Sequence, residues 1–212
     1  MLTYAASRAG VAGLYQKRAN GAGQEELLLT APDSEPTDQS QDGRFLLYQK
    51  NDPKTKMDLW VLPLSGDRKP KPFLQTEFDE AQGRFCPDGR WVAYTSNESG
   101  RPEVYVQPFP GPGPKVQIST TGGMMPQWRG DGKELFYLAQ GRLMSVEVKA
   151  GAQFEAGVSR LLFDAQLSTT HGMAAGNDYE VTADGKRFLI IKPTEETSAV
   201  IVVVNWTAGL KK

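Results

Sequence analysis

The sequence predicts an all-β fold, a β-propeller of about five four-stranded antiparallel blades. Three observations support this fold class. The dipeptide Asp-Gly occurs four times, at spacings of 46, 43 and 53 residues. Each copy is followed by a short apolar segment rich in strand-forming residues. The 22 glycines and 14 prolines of the 212-residue chain suit many short strands joined by turns better than long helices.

The Asp-Gly pairs predict tight hairpin turns, because glycine adopts positive φ without steric cost. A strand follows each pair, as in RWVAYTS at 90–96, and in most copies another strand precedes it. Two later strands complete most copies, as in EVYVQPF at 103–109 and KVQIST at 115–120. The four pairs are Asp42-Gly43, Asp88-Gly89, Asp131-Gly132 and Asp184-Gly185.

One repeat therefore forms four antiparallel strands in about 45 residues. A sheet of this kind has two apolar faces, and it buries both of them only by stacking against neighbouring copies. Four-stranded sheets that repeat at this period are typical of a β-propeller.

The first repeat begins partway through a blade. Residues 2–17 align with residues 92–107 at a constant offset of 90, so that Tyr4 falls on Tyr94. We therefore expect one domain over 1–212, whose blades hold three, four, four, four and three strands. The approximate blades are 1–32, 33–77, 78–121, 122–166 and 167–212. This is either an open or truncated propeller or an imperfectly closed ring, and open blade edges favour self-association.

Composition and charge narrow the possible partners. The formal net charge of −1 gives no electrostatic argument for binding nucleic acid or an anionic membrane. The single cysteine, Cys86, excludes an intramolecular disulfide and a cysteine-based zinc site. The most apolar run, 199–204, is far shorter than the roughly 20 residues of a membrane helix. The first residues do not follow the pattern of a signal peptide, so we expect no membrane insertion by this chain.

Several segments resemble a known propeller motif. FCPDGRWVAYTSN at 85–97 and WRGDGKELFYL at 128–138 are similar to the phrase that opens each blade of TolB-like, WD-repeat-like propellers. These segments resemble, in particular, propeller regions that lie C-terminal to bacterial serine/threonine protein kinases. The last part of the chain, which starts as DYEVTADGKRFLIIKP at 178–193, is similar to the ending of those proteins. The chain departs from the motif at Cys86, where serine is usual, and at Gln41 and Gly130, where proline is usual.

The resemblance implies an accessory module, the ligand- or partner-sensing part of a larger kinase-linked protein. It also implies a periplasmic or other extracytoplasmic location if that protein is a membrane-anchored receptor, and a cytoplasmic one otherwise. The sequence contains no Val-Ala-x-Lys strand after a Gly-rich loop, no His-Arg-Asp and no Asp-Phe-Gly, so phosphotransfer is not expected. The Gly-x-Ser-x-Gly elbow of hydrolases that carry related propellers is also missing from it.

Few residues offer catalytic chemistry. His171 is the only histidine, and its polar, Gly-rich surroundings predict a surface loop. One histidine and one cysteine exclude a His-rich metal site, and we expect neither metal nor cofactor. The carboxylates Asp79, Glu80, Asp178 and Glu180 could serve a glycosidase only if two of them lay about 5–9.5 Å apart across a cleft.

Other noticeable residues have structural explanations. Each Asp-Gly aspartate is isolated, unlike the clustered oxygen ligands of a calcium loop, so turn formation accounts for it. The four tryptophans lie in predicted strands and are expected to fill space between blades. Cys86 has no predicted helix N-terminus near it to lower its pKa, so we expect a half-buried structural residue.

The predicted binding surface is the face around the central channel, where connections enter the inner strands. Met124 and Met125, in STTGGMMPQW, are expected to be exposed there and to offer an adaptable apolar contact. The equivalent connections carry Asp79, Glu80 and His171. We therefore predict a non-catalytic module that binds a protein, a peptide or a cell-wall fragment at this face.

Two other hypotheses stay open. The first is a propeller-type glycosidase or lyase that uses Asp79, Glu80, Asp178 or His171. The second is a fragment that has no activity of its own. Convergence of the named carboxylates in one pocket would favour the enzyme.

Overall fold

The computed structural model describes residues 1–167, 173, 177–193 and 198–204. This part of the chain forms nineteen β-strands and no helix, and thus contains no helix that could span a membrane. The predicted all-β class is confirmed. His171 and Trp206 lie outside the described residues.

The strands form five antiparallel sheets that follow one another along the chain. The first sheet has three strands: β1 (Leu2–Arg8), β2 (Val11–Lys17) and β3 (Glu26–Thr30). The second has four: β4 (Ser34–Gln39), β5 (Phe45–Asp52), β6 (Lys56–Pro63) and β7 (Lys71–Leu74). The third also has four: β8 (Glu80–Phe85), β9 (Trp91–Ser96), β10 (Glu103–Pro108) and β11 (Val116–Gln117).

The fourth sheet has one strand more than the sequence predicts. Its strands are β12 (Met124–Trp128), β13 (Glu134–Ala139), β14 (Arg142–Ala150), β15 (Phe154–Ala156) and β16 (Arg160–Asp164). The long strand β14 pairs with β16 over its first half and with β15 over its last three residues. The fifth sheet again has three strands: β17 (Tyr179–Val181), β18 (Arg187–Pro193) and β19 (Ser198–Val204).

The four Asp-Gly turns share one geometry. Each glycine has φ between +70° and +72°, and its N–H donates to the carbonyl three residues earlier at 2.8 Å. The aspartate Oδ1 accepts a hydrogen bond of 2.9–3.0 Å from the backbone N–H two residues further on. A side chain that bonds its own backbone in this way favours a turn, so the predicted turn chemistry is confirmed.

The turn at Gly130 also joins two sheets. The Gly130 N–H donates to the carbonyl of Ala183 at 2.9 Å, and a Cβ on Gly130 would lie 2.8 Å from that oxygen. Proline has no N–H to donate. The contact between the fourth and fifth sheets therefore explains why glycine replaces the proline that is usual in this motif.

The core consists of clusters between adjacent sheets, as stacked blades require. Leu14 of the first sheet packs with Leu46 of the second, and Leu47 of the second packs with Phe85 of the third. Trp91 of the third sheet and Trp128 of the fourth share one cluster, which also contains Cys86. Met125, Phe136, Tyr179 and Phe188 join the fourth sheet to the fifth. The first strands of successive sheets also lie against one another, from β4 to β8, β12 and β17, which gives a propeller-like, open arrangement.

Candidate functional site

The candidate site is built by the first strand of each of four sheets. One position, four residues before the turn aspartate, holds a polar residue in every case. Because β4, β8, β12 and β17 lie side by side, these four residues come to one cavity, on the side where a propeller is expected to have its channel. They are Asp38, Arg84, Gln127 and Glu180, and we call them the channel quartet.

A backbone irregularity lies just before three members of the quartet. In β4, β8 and β12 the pairing with the next strand shifts register at this point, as in a β-bulge. Within two of these bulges Gln82 and Met125 have φ of 57° and 56°, in the left-handed region that non-glycine residues seldom adopt. Bulges bend a strand and change the direction of a side chain, so the repeated bulge gives Asp38, Arg84 and Gln127 a common setting.

Arg84 is the centre of the quartet. Its Nη1 donates to the carbonyl of Thr37 at 2.7 Å and lies 3.8 Å from Asp38 Oδ1. Its Nη2 donates to Glu180 Oε1 at 3.2 Å. These contacts tie the third sheet to the second and the fifth, although Arg84 and Glu180 are 96 residues apart in sequence.

The two carboxylates of the quartet have different environments. The Asp38 carboxylate accepts hydrogen bonds from the N–H of Phe85 at 2.8 Å and of Gln39 at 2.9 Å. Burial raises the pKa of Asp38, while Arg84 and these two N–H groups act in the opposite direction. The Glu180 side chain is 57% exposed, against 15% for Arg84. Glu180 is thus the member that a ligand can reach most easily.

Residues of the fourth sheet hold the backbone around Arg84 and Tyr179 through hydrogen bonds. Trp128 Nε1 donates to the carbonyl of Arg84 at 3.1 Å, and the Gln127 amide donates to the carbonyl of Tyr179 at 3.5 Å. The Tyr179 hydroxyl in turn donates to the carbonyl of Met125 at 2.8 Å.

All four quartet members line a cavity of about 300 Å³. Arg84 Nε is buried there and has no hydrogen-bond partner in the described part of the chain, so the site retains an unused donor.

The sequence-predicted site residues Asp79 and Glu80 do not line the cavity of the channel quartet. Asp79 Oδ2 accepts a hydrogen bond from Asn97 at 2.7 Å, and Asp79 Oδ1 accepts one from the N–H of Met57 at 3.3 Å. Asp79 therefore fixes the connection ahead of β8. Glu80 is buried, and burial raises its pKa to about 7 against the hydrogen bond from Thr76.

The expectation that Met124 and Met125 are exposed is wrong. Both lie in β12, and both are buried, with 8% and 1% of their surface exposed. The N–H of Met125 donates to Gln82 Oε1 at 3.0 Å. The two side chains belong to the core between the fourth and fifth sheets, because the inner strand begins earlier than the sequence suggested. His171 lies outside the described residues.

The channel quartet was not identified from the sequence, although a signal for it exists. Aligning the four inner strands on their Asp-Gly turns puts one polar residue at the same offset in each strand. Of the candidates, only Glu180 was named, as a scattered carboxylate. In the described part of the chain, no group of three or more His, Cys, Asp or Glu residues could hold a metal ion.

The fold and the channel define the class: the chain has a TolB-like β-propeller fold. It superimposes on TolB from Acinetobacter baumannii with a TM-score of 0.69 and 16% identity, over 96% of this chain and 48% of TolB. A putative TolB from Agrobacterium tumefaciens gives a TM-score of 0.59 and 17% identity, over 75% of this chain and 62% of that one. Enzymes share the fold, since an oligogalacturonate lyase in complex with manganese matches 95% of this chain and 58% of its own with a TM-score of 0.56 and 14% identity.

One curated relative matches by sequence. Tricorn protease homolog 1 of Streptomyces coelicolor is 32% identical over 108 residues, which are 50% of this chain and 9% of that protein. No family model matches the chain. The chain thus spans about half the length of TolB and a small part of the Tricorn homologue.

Proposed function

We propose that this chain is a non-catalytic binding module that recognises a protein or peptide at the channel. The observation that carries the proposal is the channel quartet, in which four separate sheets each contribute one polar side chain to a single cavity. Such a set is held by the strands rather than by loops, so it needs little reordering when a ligand binds.

The charges of the quartet indicate the chemistry of the ligand. Asp38 and Glu180 against Arg84 give a formal net charge of −1, and the most exposed charged side chain of the three is the acid Glu180. A basic side chain or an amino terminus of a peptide would complement Glu180, the most exposed member of the quartet. Proteins and peptides carry such cationic groups on their basic side chains and amino termini, which favours them over an uncharged glycan.

A displayed peptide library panned against the purified chain tests this proposal. We expect enrichment of peptides with a basic residue, and we expect Arg84→Ala and Glu180→Gln each to weaken their binding at least about 10-fold, because each removes a charged contact. Lys69→Ala, in an exposed loop between β6 and β7, is the matched control and should bind as the wild type does. Enrichment of nothing, or of binders that ignore both substitutions, would show the proposal to be wrong.

The enzyme hypothesis retains some support from the same cavity. Asp38 and Glu180 lie on either side of Arg84, and an oligogalacturonate lyase shares the fold. Two carboxylates and an arginine in one cavity are a possible acid–base set. Incubation with oligogalacturonates and a panel of aryl glycosides decides the point: turnover that disappears in Glu180→Gln would establish the enzyme, and absence of turnover would favour the binding module.

The attachment of this module to a kinase is a further part of the proposal. It rests on the resemblance of the blade phrases and of the ending to kinase-linked propellers. Sequencing of the reading frame around this segment tests it, since an upstream kinase and membrane helix are expected and a different neighbour would contradict it.

A further inference from the structure

Two carboxylates are buried where the second sheet meets the third. Asp58 lies in β6 and is 1% exposed, and Glu80 lies at the start of β8 and is 2% exposed. The two strands contact each other. Adjacent residues of the connection between the sheets bond to both: the Gln75 amide donates to Asp58 Oδ2 at 3.0 Å, and the Thr76 hydroxyl donates to Glu80 Oε1. The two carboxylates thus lie in the same part of the interface between β6 and β8, and the Asp58 charge acts on Glu80 there.

Each carboxylate has one oxygen that no described residue contacts through a hydrogen bond. Asp58 Oδ1 and Glu80 Oε2 are both buried without a hydrogen-bond partner in the described part of the chain. Neither residue forms an ion pair with any described lysine, arginine or histidine. Burying a carboxylate without a partner is costly, and two like charges in one place add repulsion. Consistent with this, burial raises the pKa of Glu80, and the Asp58 charge raises it further.

We propose that Asp58 and Glu80 bind a divalent cation of the oxygen-preferring class, with Ca²⁺ as the best match. The two carboxylates supply a charge of −2, and the unsatisfied oxygens are the ligands that point to an ion. The hydroxyl of Thr55, which donates to Asp58 Oδ2 at 2.8 Å, and the hydroxyl of Thr76 add neutral oxygens. Calcium accepts such mixed sets of carboxylate, neutral oxygen and water, whereas a site without histidine or cysteine does not suit zinc or copper.

The position of Asp58 and Glu80 would let an ion enter from solvent and link two sheets. Gln75 and Thr76 are exposed, so solvent lies one residue away from the buried oxygens. An ion between β6 and β8 would connect the second sheet to the third and remove the repulsion between Asp58 and Glu80. The site is separate from the channel quartet, and its failure would leave the proposed function intact.

Terbium, which occupies calcium sites, is the probe for this site. Tyr94 is buried in β9, two residues from Ser96, which is the partner of Glu80 across the strand pair, so it lies close enough to Glu80 to sensitise terbium emission. After treatment with EDTA, the full chain should show saturable tyrosine-sensitised emission that Ca²⁺ displaces. Its Tm should rise by about 5–10 °C at a Ca²⁺ concentration about 100-fold above Kd.

Matched variants assign the signal to the pair. Glu80→Gln and Asp58→Asn, each nearly isosteric, should weaken terbium binding at least about 10-fold, because each removes one charged ligand. Glu77→Gln, an exposed carboxylate in the same connection, should bind as the wild type does. Absence of saturable emission and of a Ca²⁺-dependent rise in Tm in the wild type would overturn the proposal. A proton shared by Asp58 and Glu80 would then be the alternative to a bound ion. Emission that survives both Glu80→Gln and Asp58→Asn would overturn it as well.

Discussion

Cys86 shows how one residue of the turn motif adapts to its neighbours. It stands where serine is usual, it is buried, and its N–H and carbonyl close the turn at Asp88-Gly89. A Cβ on Gly132 of the next sheet would lie 3.1 Å from the Cys86 sulfur. The sulfur therefore fills space between two turns, and burial raises the pKa of the thiol to about 12.

We predict that Cys86 is chemically inert in the folded protein. At pH 8 a thiol with this pKa contains roughly 10³-fold less thiolate than a free cysteine, whose pKa is about 8.5. Reaction with Ellman's reagent should therefore be very slow in buffer and complete within the mixing time in strong denaturant. Rapid labelling of the native chain would contradict the buried placement.

The same pKa shift predicts a direction for the effect of pH on stability. The folded state keeps the Cys86 proton above pH 8.5, where the unfolded chain loses it, so the free energy of unfolding should fall as the pH rises from about 8.5 towards 12. Below pH 8.5 this residue should contribute no pH dependence. Urea denaturation of wild type and Cys86→Ser at pH 7 and pH 10 isolates the effect, because the other titrating groups are common to both.

At the scale of the elements, the turns that contain Asp-Gly differ in how closely they contact the neighbouring sheet. The position before the aspartate differs among them: it is Gln41, Pro87 or Gly130 in three of the turns. Gln41 is exposed, whereas Gly130 packs against Ala183 of the fifth sheet. The motif therefore tolerates proline only where no neighbouring sheet requires the N–H.

A matched pair of proline substitutions tests this difference. Gly130→Pro should lower the free energy of unfolding by about 2–4 kcal/mol, because it removes the hydrogen bond to Ala183 and introduces a clash. Gln41→Pro should be neutral or should stabilise by about 0.4–1 kcal/mol, because it restricts the unfolded chain at a compatible turn. Urea midpoints measure both changes, and an equal loss in the two variants would contradict the role assigned to Gly130.

Local chemistry made the elements predictable, while contacts between distant strands decided the site. The turns at Asp42-Gly43 and its copies depend on four consecutive residues, so the sequence was sufficient for them. The burial of Met125 depends on where β12 begins and on Phe188, which lies far along the chain and belongs to the same cluster. The strand β15 was missed because its three residues carry little pattern of their own.

For the molecule as a whole, the first sheet provides an unpaired edge. Among the described strands β1 pairs only with β2, and its first residue, Leu2, is 55% exposed. A cavity of about 430 Å³ lies where the first sheet meets the second, and Ala5 and Ala6 of β1 are part of its lining. Exposed strand edges next to apolar surface favour pairing with another chain.

We predict that the 212-residue chain self-associates through β1. Sedimentation velocity should show a concentration-dependent dimer, because a second copy can extend the sheet by backbone hydrogen bonds. Leu2→Lys should shift the equilibrium towards the monomer by removing apolar contact and adding like charges, whereas Val158→Lys, at another exposed apolar residue, should not. A strictly monomeric wild type at high concentration would contradict the prediction.

The common offset of the channel quartet has a consequence for diversification. Four of the five sheets each place one polar side chain at the same cavity, and in three of them that side chain follows a backbone bulge. Exchange of the exposed Glu180 for another polar residue would change one of the four side chains at the cavity, while the hydrophobic layers between blades stay as they are. A scaffold of this kind can acquire new specificities without refolding.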